Sequence, residues 1–425
     1  MRYGGLEDKK MCETRNSSLL VKITVLVVIC SFGLPVQAKY GGGKGEPNDP
    51  YLIYTAAQMN AIGADSNDWD KNFLLCADID LSSFTGTDFN IIGKYVGWQN
   101  PNNNPFTGVF DGNGHTISNF SYTATDGDYT GLFEYVNDPN AEIKNLGLID
   151  PNINVRRCVG SLVGYLERGT LTGCSVDGGS ISEGSGGGLV GLNSGTISDC
   201  SVSANIYGDM IVGGLVGQNW GGTISNCYSN GTVSGISQIG GGLVGANSGT
   251  IINCHSSATV SGLLVIGGLV GANGVTITNC YSTGGVSGMD HIGGLVGWND
   301  GIATASFWDI QTSGRDTSDG GTGLSTAELQ MQVTFTDAGW DFSTPIWKMN
   351  CEGMSYPKLS WWQPVLGDFG CPDGVDFVDY SFFASHWAED NCGASNDCDG
   401  TDLDLLETVD INDLRIFVDN WLRGF

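Results

Sequence analysis

Residues 213–239 read GGLVGQNWGGTISNCYSNGTVSGISQI, and this stretch recurs along the chain with small changes. The leucine of its first phrase returns in steps of 30, 27, 26, 28, 26 and 26 residues, at Leu132, Leu162, Leu189, Leu215, Leu243, Leu269 and Leu295. A cysteine follows 11 or 12 residues later in five copies, at Cys174, Cys200, Cys227, Cys254 and Cys280. A period near 26 residues is typical of a solenoid, in which each unit buries its apolar side chains by stacking on its neighbours.

One unit of this repeat predicts short strands joined by tight turns. It has no helical spacing of apolar residues, and glycine recurs every few positions. Runs rich in Val, Ile, Thr, Leu and Cys remain at residues 215–216, 223–228 and 232–233. Strands of successive coils would lie about 4.8 Å apart. The sequence therefore predicts an all-β solenoid, a right-handed parallel β-helix of about seven coils, followed by a small helical domain.

Residues in equivalent positions of stacked coils would lie directly above one another. The polar residues before the cysteines would then form a ladder at a turn: Asp199, Asn226, Asn253 and Asn279. The cysteines themselves have neither the local spacing nor the histidine partners of a zinc site. Disulfides between adjacent coils are allowed by distance, but parallel side chains suit the dihedral angle of that bond poorly. We therefore expect five buried thiols that act as small hydrophobic groups.

The overall charge narrows the classes of partner. Only 15% of the residues are charged, 66 are glycine, and the formal net charge is -28. Binding to nucleic acid or to an anionic membrane depends on Lys and Arg, so this balance argues against both. It favours calcium and cationic or neutral partners.

The N-terminal segment has the pattern of an export signal. An apolar run over residues 23–36 is followed by Val36, Gln37 and Ala38, and basic residues precede it: Lys9, Lys10, Arg15 and Lys22. A membrane anchor is the alternative, but the run is shorter than the roughly 20 residues that a spanning helix needs. We expect a signal peptide at residues 1–38 and a secreted or cell-surface protein without a later membrane span.

The remaining chain divides by composition into four parts. Residues 39–129 form the N-terminal start and cap of the β-helix, and residues 130–310 hold the repeats. Residues 311–366 are aromatic and irregular, which predicts a C-terminal cap, although their tryptophans would also suit a sugar-stacking platform. These tryptophans are Trp340, Trp347, Trp361 and Trp362. Residues 367–425 form a separate domain.

This last domain contains a second duplication. The segment VDFVDYSFFASHW at residues 375–387 returns as VDINDLRIFVDNW at residues 409–421, and both place an aromatic pair at i, i+4 on one helix face. Acidic residues before each helix have the spacing of twelve-residue calcium loops, although Pro372 and Leu406 replace the usual ligand at position 5. The candidate ligands are Asp368, Asp373, Asp376 and Asp379 in the first loop and Asp402, Asp404, Asp410 and Asp413 in the second. Cys392 and Cys398 flank the connection and predict a disulfide in an exported protein.

Two family resemblances follow from these motifs. The units GGLVGQNWGGTISNC and GGLVGANSGTIINC, over roughly residues 130–310, resemble the GLUG-motif repeats of bacterial surface and secreted proteins. Some of those proteins are immunoglobulin A metalloproteases, but none of the four histidines here belongs to a His-Glu-x-x-His motif. The tail resembles a dockerin type I module. That resemblance implies paired calcium sites at the aspartates named above and a cohesin-like domain or cell-surface scaffold as partner.

Enzymatic activity on the coils has little support from the residues. Between Gly169 and Gly314 there is no Lys or Arg, whereas a lyase for acidic sugars needs cations and a base. A glycosidase needs two carboxylates about 5 to 9.5 Å apart, and Glu183 with Asp209, on successive coils, is the best pair. We therefore expect a non-catalytic binding, adhesion or surface-assembly protein. The alternative is a polysaccharide hydrolase of β-helix fold attached through the same tail.

In the binding role, each coil would present polar and aromatic side chains to a polysaccharide or other surface polymer. The side chains expected to face outward are Tyr228, Asn230, Ser256 and Tyr281. Many weak contacts along an extended partner would then add up.

Overall fold

The computed structural model describes residues 39–125, 129–155, 157–182, 184–344, 346–361, 368–371, 375–390, 392, 398, 401–406 and 408–421. The predicted signal peptide at residues 1–38 lies outside this part. The chain divides into two compact units, Met1–Leu324 and Ser325–Phe425. Residues 311–324 therefore belong to the same unit as the repeats.

The first unit begins with short strands and one helix. The helix α1 (Ala56–Ala64) starts at Thr55, whose side chain accepts a hydrogen bond from the backbone N–H of Gln58, as expected for an N-cap. A 3-10 helix (Ser66–Asp68) follows. The strands are β1 (Tyr51–Ile53), β2 (Asn72–Leu75), β3 (Ile79–Asp80), β4 (Val109–Asp111), β5 (Thr116–Ser118) and β6 (Ser121–Thr123).

The repeats fold into a stack of short strands. They are β7 (Phe133–Lys144), β8 (Gly147–Ile149), β9 (Asn152–Asn154), β10 (Val159–Gly160), β11 (Val163–Thr172), β12 (Ser175–Ser182), β13 (Gly186–Gly187), β14 (Val190–Asn193), β15 (Thr196–Ser198), β16 (Ser201–Tyr207), β17 (Ile211–Gly213), β18 (Val216–Asn219), β19 (Thr223–Ser225), β20 (Tyr228–Ile236), β21 (Ile239–Gly241), β22 (Val244–Asn247), β23 (Thr250–Ile252), β24 (His255–Ser256), β25 (Thr259–Gly262), β26 (Val265–Gly267), β27 (Val270–Asn273), β28 (Thr276–Thr278), β29 (Tyr281–Ser282), β30 (Val286–Ser287), β31 (Ile292–Gly293), β32 (Val296–Asn299), β33 (Ile302–Thr304) and β34 (Phe307–Asp309). The unit ends with α2 (Ile310–Ser313) and β35 (Thr322–Leu324), which pairs with β34.

These strands form three parallel sheets that run along the stack. Equivalent residues pair from coil to coil: Val163 pairs with Val190, and the same column continues through Val216, Val244, Val270 and Val296. The seven motif leucines, from Leu132 to Leu295, are all fully buried. The prediction of a parallel solenoid of about seven coils is therefore confirmed.

The five repeat cysteines lie inside this stack as thiols. None is more than 1% exposed. The Sγ of Cys200 lies 3.1 Å from the carbonyl oxygen of Ser198, and Cys227, Cys254 and Cys280 repeat this contact with the residue two positions earlier. Burial raises the pKa of the thiols of Cys200, Cys227 and Cys254 well above its usual range. They serve as small core groups.

The predicted ladder at the turn before the cysteines is also confirmed. Asp199, Asn226, Asn253 and Asn279 all adopt left-handed backbone conformations, with φ between 53° and 54°. Asparagine and aspartate tolerate this region better than most residues. The side-chain Nδ2 of each asparagine donates to the Oδ1 of the preceding member at 3.1–3.3 Å. The donors of this ladder therefore point toward the N-terminal coils.

A second amide ladder lies inside the solenoid, and it was not predicted. The Nδ2 of each of its first four members donates to the Oδ1 of the next member at 2.7–2.8 Å, so these donors point toward the C-terminal coils. Four members are at most 2% exposed. The ladder consists of Asn193, Asn219, Asn247, Asn273 and Asn299, each four residues after a motif leucine. That fixed position is the sequence pattern that could have predicted the inner ladder. From the sequence alone, we interpret asparagine only as a turn residue.

The second unit has its own elements and cores. They are α3 (Thr326–Leu329), α4 (Gln332–Asp337), the antiparallel pair β36 (Trp347–Lys348) and β37 (Lys358–Leu359), α5 (Phe377–Ser385) and α6 (Ile411–Asp419). Trp340 and Trp347 are 4% and 1% exposed, and their rings lie 4.5 Å apart. Their burial excludes these two tryptophans as a sugar-stacking platform.

Candidate metal centre and solenoid surface

The loop before α5 is organised by one carboxylate. Oδ1 of Asp379 accepts hydrogen bonds from the backbone N–H groups of Phe369 (2.7 Å) and Gly370 (3.0 Å). Its Oδ2 accepts from the backbone N–H of Asp376 (2.8 Å), which itself caps the helix through Val378. Asp379 is 1% exposed. This side chain thus ties the start of the loop to the start of the helix.

The loop before α6 repeats this arrangement. Oδ1 of Asp413 accepts from the backbone N–H groups of Leu403 (2.6 Å) and Asp404 (3.0 Å), and its Oδ2 accepts from that of Asp410 (2.7 Å). Asp410 caps α6 by accepting a hydrogen bond from the backbone N–H of Asn412. The sequence duplication is therefore a duplication of the hydrogen-bond pattern as well.

The two halves meet at their aromatic residues. The rings of Phe383 and Phe417 stack with centroids 5.1 Å apart and planes 20° apart, and both side chains are buried. Trp387 and Trp421, the second members of the i, i+4 pairs, pack edge-on against their own phenylalanine. A small shared core thus fixes the two acidic loops relative to each other.

Three of the predicted ligands converge in the second loop. One oxygen from each of Asp402, Asp404 and Asp413 lies within 4.8 Å of the other two. Calcium binds oxygen at about 2.3–2.6 Å, so two of its ligand oxygens lie at most about 5 Å apart. Asp402 and Asp413 are buried, whereas Asp404 is partly exposed. The donor set and its spacing fit a calcium ion.

The electrostatics of this cluster are consistent with a cation site. Desolvation, together with repulsion from Asp413, Asp402 and Asp410, raises the pKa of the Asp404 carboxyl. Asp413 accepts three backbone hydrogen bonds, and a carboxylate has about four lone-pair sites, so it retains acceptor capacity. A bound cation would relieve the repulsion.

The other predicted ligands have different positions. Asp376 and Asp410 act as helix N-caps, as described above, and lie outside the group of three. In the first loop Asp368 and Asp379 belong to the described residues, whereas Asp373 does not. Among the described residues, the three-carboxylate group occurs in the second loop alone.

Two disulfides lie in this unit. The structure joins Cys392 to Cys398, with Cα atoms 4.6 Å apart, which is the pair expected from the sequence. A second disulfide joins Cys351 to Cys371, with Cα atoms 5.6 Å apart. The sequence left the partners of these two cysteines open.

On the solenoid, an aromatic stack runs across three coils. His255 lies between Tyr228 and Tyr281, with ring centroids 5.1 and 4.9 Å apart and planes within 14° of each other. Tyr281 is only 3% exposed, so the expectation that it faces a polymer was wrong. The strand places it between His255 and Phe307 of the neighbouring coils.

The expectation for Ser256 was also wrong. Side chains alternate across a strand, and because His255 faces outward, Ser256 points inward and is fully buried. The equivalent hydroxyls of Ser229 and Ser282 donate to backbone carbonyls inside the stack at 2.6 Å. Asn230 is exposed, as expected, and Tyr228 is partly exposed.

The candidate carboxylate pair of a glycosidase is only partly within the described residues. Asp209 is exposed on a loop, and its backbone N–H donates to the carbonyl of Gly184 on the preceding coil at 2.9 Å. Glu183 lies outside the described residues.

A tyrosine cluster, separate from the solenoid core, was missed in the sequence. Tyr135 and Tyr165 are buried with Leu192, and Tyr95 and Tyr129 pack against them. Burial, followed by the charge of Glu167, raises the pKa of Tyr165 to about 12. Tyr95 and Tyr129 come from the non-repeating start of the chain, so no periodic pattern pointed to this cluster.

A polar network extends from this cluster toward the surface. The hydroxyl of Tyr135 donates to Oε2 of Glu167, and Nδ2 of Asn137 donates to the same oxygen at 3.0 Å. Oδ1 of Asn137 accepts from Nε of Arg168 at 2.7 Å. The network therefore fixes the Arg168 guanidinium at the surface of the first coils.

Comparison with known proteins supports the repeat assignment. The GLUG motif matches residues 156–182 and 208–234, each of which covers one coil. A protein of Evansella cellulosilytica named as a Gly-rich membrane protein is 31% identical over 152 residues, which cover 34% of this chain and 17% of that protein. Halomucin of Haloquadratum walsbyi is 33% identical over 154 residues, which cover 35% of this chain and 2% of halomucin.

One solved structure is also similar. It is the crystal structure of a Bacteroides ovatus protein named as an immunoglobulin A1 protease, with 22% identity and a TM-score of 0.47 over 76% of this chain and 96% of that one. Within the described residues, no helix combines the length and the apolar character needed to cross a membrane. The chain thus carries GLUG-motif repeats within a longer run of similar coils.

Proposed function

We propose that this chain is an exported, cell-surface β-solenoid that binds an extended polymer without cleaving it. In this role, its C-terminal acidic loops bind calcium and dock onto a cohesin-like partner domain or surface scaffold. The names of the two relatives described above, a Gly-rich membrane protein and halomucin, support a surface location.

One observation carries the binding role: hydroxyl side chains form an outward column in register over five coils. The threonines pair from strand to strand, and the residues that follow them, such as Ile224 and Ile251, are fully buried, so the hydroxyls face the other way. The column consists of Thr170, Thr196, Thr223, Thr250 and Thr276. A regular array with a repeat of about 4.8 Å suits a polymer, because weak contacts add along its length.

The converging carboxylates of Asp402, Asp404 and Asp413 support the calcium-dependent tail. When bound, calcium would supply positive charge that offsets their mutual repulsion and would order the loop between them. The repeated bonding of Asp379 and Asp413 supports a paired docking module, since it gives both halves the same geometry. The exposed helix side chains Phe377 and Ile411, at equivalent positions of α5 and α6, offer apolar contacts to a partner domain.

Retention on insoluble polysaccharides tests this function. The purified chain is applied to a panel of neutral and acidic polysaccharides, and both bound protein and released reducing ends are measured. We expect retention on at least one polymer without release of reducing ends. Release that disappears in Glu183→Gln or Asp209→Asn would contradict the binding role and support the hydrolase alternative.

A further inference from the structure

A groove of about 340 Å³ lies on the outer surface of the first coils. Hydroxyl groups from three successive coils line it, and they belong to Thr170, Ser194, Thr196 and Thr223. Thr170, Thr196 and Thr223 pair in register, so the groove runs parallel to the axis of the solenoid over a length of about 10 Å. This volume falls within the range of small-ligand sites, about 300–1,000 Å³.

One charged side chain faces this polar groove. Among its nine lining residues, all within the described chain, Arg168 alone carries a charge. It is also the last cationic residue before Arg315 in a chain of net charge -28. An isolated arginine on an acidic protein is a specific feature of this groove rather than part of a basic surface.

A chain of hydrogen bonds to neighbouring residues holds the guanidinium of Arg168 in place. Its Nε donates to Asn137, which in turn is bound to Glu167, and Glu167 accepts from the buried hydroxyl of Tyr135. The Nε bond uses one of the five N–H donors of arginine and leaves those of the terminal nitrogens for a ligand. A planar pair of such donors matches the two oxygens of a carboxylate.

An exposed aromatic residue is next in sequence to one of the lining residues of the groove. Trp220 directly precedes the lining residue Gly221, and 60% of its surface is exposed. Its backbone N–H donates to the carbonyl of Asn193 at 2.6 Å, which fixes its position at the turn. Exposed tryptophan combined with hydroxyl groups is suited to a ring that has both an apolar face and hydroxyl edges.

We infer that this groove binds a uronate unit of an acidic glycan, with the sugar carboxylate paired to Arg168 and the ring hydroxyls bonded to the threonine and serine hydroxyls. This inference rests on the proposed binding role and specifies its ligand. The negative charge of the whole chain repels a long polyanion. The affinity must therefore come from short-range hydrogen bonds between the planar guanidinium of Arg168 and the sugar carboxylate. A short oligosaccharide is therefore the appropriate probe.

Calorimetric titration of the full chain with trigalacturonate tests the inference. We expect Arg168→Gln to weaken binding at least tenfold and Arg168→Lys to weaken it several-fold, because lysine keeps the charge but loses the planar fork. Thr196→Val should also weaken binding, by removing one hydroxyl from the groove lining. Arg157→Gln, which changes the net charge equally at another exposed arginine, should bind as the parent chain does.

Each other outcome overturns the inference. Equal affinity of Arg168→Gln and the parent chain would exclude Arg168 as the carboxylate partner. Equal affinity for neutral trigalactose would exclude uronate specificity, and full competition by inorganic sulfate at equal concentration would mark a simple anion site. If the parent chain is retained on a polysaccharide and Arg168→Gln is retained equally, the groove is wrong but the binding role stands. If no polymer retains the parent chain, the proposed function itself fails.

Discussion

Asn219 donates a hydrogen bond of 2.8 Å from its Nδ2 to Oδ1 of Asn247 on the next coil, and both side chains are buried. Asn247 in turn donates to Asn273 and bonds both backbone groups of Gly249. Asn247→Ala would leave several of these groups buried without partners, at about 1–3 kcal/mol for each group. We expect a loss of at least about 2 kcal/mol in the free energy of unfolding, measured by denaturant titration.

The exposed Asn230 provides the matched control for this substitution. Asn230→Ala removes a side chain whose Oδ1 accepts a bond from the adjacent Gly231 at the surface, and it should change stability by less than about 0.5 kcal/mol. Equal destabilisation by both substitutions would show that burial of the inner ladder contributes nothing.

The thiol column makes stability sensitive to alkaline pH. Burial raises the pKa of Cys200, Cys227 and Cys254 in the folded state, whereas in the unfolded chain it stays near about 8.5. Below that pH all three thiols are protonated in both states. Above it the unfolded chain loses protons that the folded chain retains, so the free energy of unfolding falls as pH rises. Urea titrations at pH 7, 8, 9 and 10 should show this decline, and Cys227→Ala should reduce its slope.

The burial of the five repeat cysteines also determines how they react with thiol reagents. In the native protein, a thiol reagent should leave the five repeat cysteines unmodified; after unfolding without reductant, all five should react. Mass spectrometry of labelled peptides distinguishes them from Cys158. Repeat cysteines that stay blocked in the unfolded, unreduced chain would indicate disulfides between coils.

Two glycines of the repeat should respond differently to alanine. A Cβ on Gly242 would lie 2.1 Å from the carbonyl oxygen of Gly268, which is backbone and cannot rotate away. Gly242→Ala should therefore cost about 1–3 kcal/mol through forced separation of coils. At Gly274 the nearest atom would lie at 3.5 Å, an ordinary contact, so Gly274→Ala should leave the thermal midpoint within a few degrees. Similar losses for both would contradict the role of close coil approach.

Calcium should stabilise the second unit of the full chain. At 100 times its dissociation constant, a ligand that binds only the folded state adds about 2.7 kcal/mol. We expect a higher thermal midpoint for the tail with calcium, and weaker calcium binding by calorimetry in Asp404→Asn. The exposed Asp337→Asn, in the same unit, serves as the control.

The pH dependence of this binding follows from Asp404. Because its folded-state pKa is raised, protons begin to compete with calcium at a higher pH than for an ordinary carboxyl of pKa about 4. As pH decreases, calcium affinity should therefore begin to fall before an ordinary aspartate becomes protonated. Affinity that is unchanged in Asp404→Asn would remove this residue from the site.

The repeat period in the sequence was sufficient to predict the solenoid, its core column and the turn ladder. Leu215, Cys227 and Asn226 hold the predicted positions because each has an equivalent in every neighbouring coil. The inner ladder was missed since a buried amide is costly alone and becomes acceptable only when Asn219 and Asn247 satisfy each other.

The surface sites were harder to predict for a different reason. The support of Arg168 combines Asn137 and Tyr135 from one coil with Glu167 from the next, and Tyr95 comes from the non-repeating start. None of these residues belongs to the repeat motif, so periodicity gave no information about them. In the second unit the acidic spacing located Asp402, Asp404 and Asp413, but the capping role of Asp410 depends on backbone geometry that spacing alone does not specify.

The two amide ladders run in opposite directions, and this antiparallel polarity bears on how such a chain can change in length. The turn ladder ends at Asp199, whose carboxylate accepts a hydrogen bond and has none to donate. The equivalent position of the preceding coil is Gly173, which has no side chain that could accept one. The coil with Asn219 and Asn226 and the coil with Asn247 and Asn253, by contrast, both accept and donate once in each ladder. A duplicated unit inserted between two such coils would restore all these bonds without a compensating substitution. Gain or loss of one whole unit in this part of the stack would therefore keep both ladders continuous, whereas a partial unit would interrupt both ladders at once.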